Sequence, residues 1–186
     1  AKVSEAIYEH HSGTKIIPSS LSVKELKRLD YTRLKEVTKS LKRTYDFIIC
    51  DAAAGLGDEA VASMDSADEL IIVTNPEIPA VTDALKTAKL AEEMKKTIRG
   101  IIVTRVERNN KNQMAIKNIA DMLNLPVIGI VPEDEHVQSA LVNKDPLLTF
   151  HPHSKAAIAY RNIAAKLAGV DVRDFYKTPL LNKNFG

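Results

Sequence analysis

At 186 residues with 45% hydrophobic content, the chain is long enough to bury one sizeable core and too short for two large independent ones. Its 26 basic residues against 24 acidic ones leave a formal charge of +2, so any attraction to nucleic acid or acidic lipid has to come from local patches. A single cysteine, Cys50, excludes an internal disulfide framework and argues against a structural zinc site, which points to a reducing cytoplasm. No stretch approaches the roughly 20 apolar residues of a membrane span, and the polar, helix-like N-terminal segment lacks the pattern of a signal peptide.

The first strand candidate is Lys15-Ile16-Ile17-Pro18, closed by Ser19 and Ser20, either of which can cap a helix running from about Val23 to Arg43. That helix carries many lysines on a solvated face and offers Leu26, Leu34, Val37 and Leu41 for burial. Four further segments, beginning at Tyr45, Glu69, Gly100 and Val127, repeat one pattern: an apolar run, a turn rich in Gly, Pro, Asn or Asp, then helical periodicity. The runs Phe47–Cys50, Leu70–Val73, Ile101–Val103 and Val127–Val131 do not alternate with polar residues, so each is expected to be a strand covered on both faces, as in parallel sheets. With helices near 80–95, 111–124, 134–142 and 154–168, the predicted fold is α/β: a doubly wound, mostly parallel sheet with helices on both faces. Residues 1–170 are read as one domain, and 171–186 as a tail interrupted by Pro179.

In such a sheet, ligands bind beyond the carboxyl ends of the strands, so the residues just after each apolar run carry the chemistry. The Phe47–Cys50 run delivers Asp51 and a small-residue loop in which Gly55 and Gly57 let backbone amides approach a ligand. A carboxylate there suits a magnesium–nucleotide site, because a hard cation held by phosphates and waters needs an anionic oxygen nearby. The bland alternative is that Asp51 merely caps the next helix or turn. The next strand ends in Asn75-Pro76-Glu77 with Pro79 beyond, a stiff loop that could equally be no more than a turn into the following helix. The last two end in Thr104-Arg105 and in Pro132-Glu133-Asp134, an Arg plane and a proline loop able to sandwich a flat base.

Together these strand ends resemble the MinD branch of the MinD/ParA ATPases, and the likeness runs over nearly all of residues 1–168. Tyr45 to Asp51 with Gly55-Leu56 is similar to the family's switch II strand and loop; Val73 to Glu77 with Thr82-Asp83 is similar to its next strand end. Glu5 to Tyr8 and Gly13 to Pro18 also resemble family sequence. The resemblance implies a P-loop NTPase-like fold and a positioning or partitioning switch that dimerises across ATP and is reset by hydrolysis. Asp51 would act on Mg2+ through water, and the Gly55 backbone would sense the γ-phosphate. Thr104, Arg105, Pro132 and Glu133 would line the adenine pocket, and Asn75 and Asp134 would also bind the nucleotide. Implied partners are a second copy in the ATP state and a regulatory or cargo protein, on the cytoplasmic side of the membrane.

The family's phosphate loop, K-G-G-x-G-K-[ST], does not occur in these residues, and Gly13-Thr14-Lys15 precedes a strand instead of opening a helix, so it is no substitute. The family's signature lysine and its acidic switch I segment do not occur either. The expectation is therefore an N-terminally incomplete copy of the domain, inactive by itself, whose strand at 47–50 has an unpaired edge. Ala53 stands where many family members have proline, a mild departure. A non-enzymatic interaction module on the same fold is the alternative reading. An iron–sulfur carrier of the superfamily is disfavoured, since such relatives use a cysteine pair. His10-His11 and the pair His151 and His153 do not complete a ligand set. Val172, Phe175, Leu180 and Phe185, interleaved with Arg173 and Lys177, suggest a membrane-docking tail, against the simpler expectation that the tail packs on the core.

Overall fold

The computed structural model describes residues 3–18, 33–52, 55–108, 110–171 and 173. Helix capping at Ser19 or Ser20, the helix before residue 33, the Ala53 position and the tail from 174 onward lie outside them. Contacts divide the chain into two compact units, 1–68 and 69–186.

In the first unit, a single 3-10 turn, Val3–Ala6, leads into β1 (Tyr8–Glu9), which pairs antiparallel with β2 (Lys15–Ile16). The segment expected to join a parallel sheet instead closes a hairpin. Its turn includes Gly13 at φ 84°, with hydrogen bonds between His10 and Gly13 and between His10 and Thr14, and a Lys15–Glu9 ion pair crosses the two strands. Two helices follow, α1 (Leu34–Leu41) and α2 (Asp58–Ser66), tied together by Lys35–Asp65 at 3.0 Å and by the buried Thr38 hydroxyl on the Ser66 carbonyl.

The segment Phe47–Cys50 is not a strand, which corrects the sequence expectation. Phe47 is 67% exposed and Ile49 90% exposed, and no ladder reaches them among the described residues. An apolar, β-branched run has the propensity for a strand, but a strand exists only where a neighbour accepts its backbone hydrogen bonds.

In the second unit, β3 (Glu69–Thr74), β4 (Thr97–Val106) and β5 (Val127–Pro132) form a parallel sheet in that order. The chain passes between them through α3 (Ile78–Glu93) and α4 (Ile116–Leu123), then continues into α5 (Glu135–Asn143), α6 (Leu147–Phe150) and α7 (Lys155–Ala168). Side chains alternate across a strand, so Ile101 and Val103 share one face and Ile102 points to the other. On the first face, Ile72, Ile101 and Val103 pack with Val81 and Ala84 of α3 and with Ile119 and Leu123 of α4. On the second, Ile102 and Val131 pack with Ala156 and Ile163 of α7. Buried Val81, Ala84, Ala88 and Ala91, spaced by three and four, are the inward stripe of α3, and their small side chains let the helix lie close to the sheet.

Double-sided burial holds for β4 and fails for β3. Ile72 and Thr74 are buried, whereas Ile71 is 37% and Val73 61% exposed, because α7 covers the β4 and β5 side of the second face. The helix ends follow local chemistry: α4, α5 and α7 each stop at a residue in the left-handed region, Asn124, Lys144 and Gly169 respectively.

Candidate functional site

The carboxyl ends of β3, β4 and β5 bring together Asn75, Thr104, Arg105, Pro132, Glu133 and Asp134. The Thr104 hydroxyl donates to Asn75 Oδ1 at 2.8 Å, bridging the first two strand ends. With its oxygen held by that bond, the Asn75 carboxamide is fixed in orientation. Next to it, β4 leaves its ladder with β5: the register shifts between Val103 and Val106, so Thr104 and Arg105 bulge out of the pairing.

Arg105 sits at the crest of that bulge with φ 56°, a left-handed conformation unusual for a residue with a Cβ. Its side chain is 62% exposed, and its Nε lies 3.7 Å from Glu133 Oε2. Pairing resumes immediately beyond, where the Glu133 N–H donates to the Val106 carbonyl at 3.0 Å. An exposed cation and an exposed carboxylate thus stand side by side on the rim.

Asp134 behaves differently. Its carboxylate is 5% exposed; Oδ1 takes the His136 N–H at 3.1 Å and the His136 ring Nδ1 at 2.7 Å, and Oδ2 takes the Ala156 N–H at 2.9 Å. It is the N-cap of α5 and also closes the first turn of α7, where a negative charge is favoured by both helix dipoles. Burial pushes its pKa upward, but the bonds from Ala156, His136 and Ser154 outweigh it and hold the value at about 2. The carboxylate is occupied by the protein itself, which makes Asp134 the pin of the β5 end.

Two further groups at this rim were not anticipated from the sequence. Gln113, in the loop before α4, donates from Nε2 to the Arg105 carbonyl at 2.9 Å and accepts the Glu107 N–H on Oε1 at 2.9 Å. Its neighbour Met114 donates its N–H to the carbonyl of buried Pro76 at 2.8 Å. A glutamine in a polar loop carries no periodic signal, so nothing short of tertiary contact distinguishes it from Asn110 or Asn112. The second is the crevice lined by Glu133, Glu135, His136, His153 and Lys155.

In the first unit, Asp51 and Gly55 are exposed. Gly57, not Asp51, is the N-cap of α2, so Asp51 does not cap that helix. Gly55 has φ 99° with open space where a Cβ would stand, so glycine serves backbone conformation there and not close packing. Cys50 is half-buried and free, its Sγ 3.7 Å from the Ser66 hydroxyl. Among the described residues no group of three or more His, Cys, Asp or Glu side chains is arranged to hold a metal ion. The His151 ring lies against His136 and Phe150, with centroids at 4.3 and 4.6 Å.

A parallel sheet with helices packed on its two faces, and polar residues gathered at the carboxyl ends of its strands, defines a doubly wound α/β protein, the class in which ligands bind beyond those strand ends. Residues 33–168 match the ParA family model, described as NUBPL iron-transfer P-loop NTPase. An uncharacterized ATP-binding protein of Methanocaldococcus jannaschii is 40% identical over 91% of this chain and 64% of its own length. The septum site-determining protein MinD of Bacillus subtilis is 33% identical over 75% of this chain and 53% of its own. The structure of MinD from Pyrococcus horikoshii with Mg-ADP is 32% identical with a TM-score of 0.83, covering 90% of this chain and 69% of that one. The chain belongs to the MinD/ParA family of P-loop NTPases. It spans 64% of the length of the first M. jannaschii relative and 65% of a second. Among the described residues no helix is long and apolar enough to cross a membrane.

Proposed function

We propose that the chain supplies the base-binding rim and the switch II carboxylate of an ATP-dependent positioning switch, of the kind that places a division site or a cargo. The observation that carries this reading is the strand-end cluster. Thr104 and Arg105 are lifted out of the ladder between Asn75 on one side and Pro132-Glu133 on the other, within a fold shared with a Mg-ADP-bound MinD. An adenine ring is flat and carries hydrogen-bonding groups on its edge, so a guanidinium plane and a proline ring can lie against its faces while a fixed carboxamide meets its edge. Asn75, Thr104, Arg105, Pro132 and Glu133 are the proposed base contacts, with Asp134 setting the position of Glu133 from beneath. Asp51 is proposed to orient Mg2+ through water, and Gly55 to sense the γ-phosphate through its backbone.

By similarity to MinD, the protein is proposed to dimerise in its ATP state and to answer to a regulatory or cargo protein in the cytoplasm. Residues 1–170 would then act as one nucleotide-switch domain.

Calorimetric titration of the chain with ADP, compared with GDP and inorganic phosphate, tests the base assignment. Binding of ADP that is stronger than that of GDP and weakened by Arg105→Ala supports it. Equal binding of all three, or none, overturns it.

A further inference from the structure

We infer that Gln113 is a positioning residue for the base rim, holding the Thr104–Arg105 bulge in its binding geometry without itself touching the nucleotide. This rests on the reading of that rim as a base site.

Where β4 separates from β5, two residues lose their ladder partners, and one of them, Arg105, takes a left-handed backbone. Such a conformation is strained for a residue with a Cβ and persists only where surrounding bonds over-determine it. Gln113 provides those bonds. Its carboxamide donates to the Arg105 carbonyl and accepts from the Glu107 N–H, both at 2.9 Å, so one side chain takes the place of an absent strand on the outer edge of the bulge. The carboxamide offers a donor and an acceptor side by side, which this pair of backbone groups requires. The loop bearing it is anchored in turn, since the Met114 N–H donates to Pro76, the residue after Asn75. Through these bonds one short loop fixes the ends of both β3 and β4, and with them the distance between Asn75 and Arg105.

The geometry predicts a graded series. Gln113→Leu keeps the volume and removes both bonds. Gln113→Glu keeps the acceptor for the Glu107 N–H and sets a carboxylate against the Arg105 carbonyl. Each variant of the full chain is titrated with ADP, its thermal midpoint is measured, and hydrogen exchange is followed at the Glu107 amide. Loss of two hydrogen bonds predicts ADP affinity about tenfold weaker in the leucine variant. Glutamate should fall between it and the parent, with fast exchange at Glu107 in the leucine variant only. A residue that merely stabilised the fold would lower the midpoint and leave the affinity of the folded fraction unchanged, which overturns the proposal. Protected exchange at Glu107 in the leucine variant overturns it as well. Absence of ADP binding by the parent chain is a different failure, removing the base site and this role together.

Discussion

The Asp134 carboxylate accepts the Ala156 N–H at 2.9 Å across 22 residues of sequence while capping its own helix through His136. One side chain thereby joins the end of β5 to the starts of α5 and α7. Asp134→Ala should cost about 2–3 kcal/mol, combining a lost N-cap with an unsatisfied buried amide. Asp134→Asn should cost less. Urea denaturation at pH 7 measures both.

The same residue sets a pH dependence. Its folded-state pKa of about 2 lies below the ordinary 3.8, so its charge stabilises the fold above the ordinary value, and that contribution is lost as pH falls from about 4 through 2. The difference in stability between the parent and Asp134→Asn should therefore be full at pH 6 and shrink toward zero near pH 2. Guanidinium unfolding over that range reads it directly, and a difference that is constant with pH would exclude the assignment.

Arg105→Gly should separate stability from binding. Removing the Cβ relieves the left-handed strain at φ 56°, so the unfolding midpoint should hold or rise, within about 1 kcal/mol of the parent. The lost guanidinium should weaken ADP binding at the same time. Parallel thermal melts and calorimetry check the two signs.

Two glycines of the sheet should respond unequally. At Gly100, with φ 150°, an added Cβ would meet the Pro126 carbonyl oxygen at 2.5 Å, and backbone cannot easily retreat; at Gly129 it would meet Ile163 at 2.4 Å, where a side chain can turn aside. Gly100→Ala should cost about 3 kcal/mol and Gly129→Ala nearer 1–2 kcal/mol. Chemical denaturation of the two variants ranks them.

The burial pattern makes a further contrast. Ile101 is fully buried between α3 and α4, so Ile101→Ala should cost about 3–4 kcal/mol. Ile49→Ala, at a side chain 90% exposed, should stay within about 0.5 kcal/mol. A large loss at Ile49 would show that the segment 47–50 packs against something in solution.

Much of the second unit was legible before any coordinates. The runs at 70–73, 101–103 and 127–131 became β3, β4 and β5, and helices expected near 80–95, 134–142 and 154–168 became α3, α5 and α7 with small shifts of boundary. Periodicity sufficed there because each run has a neighbour to pair with and a helix to cover it. The same reasoning failed at Phe47–Cys50, equally apolar, and at Lys15–Ile16, where a nearby Tyr8–Glu9 offered an antiparallel partner.

The sequence by itself determined the α/β alternation, the family, and which strand ends carry polar residues, because these follow from local periodicity and from residue types at fixed spacing. Only the tertiary structure decided that Asp134 turns inward to serve two helices, that Gln113 reaches back to Arg105, and that Thr104 orients Asn75. Those bonds join residues separated by 22, 8 and 29 positions. A hydrogen bond depends on distance and angle in space, and a linear chain acquires those only when its sheet register and helix packing are set.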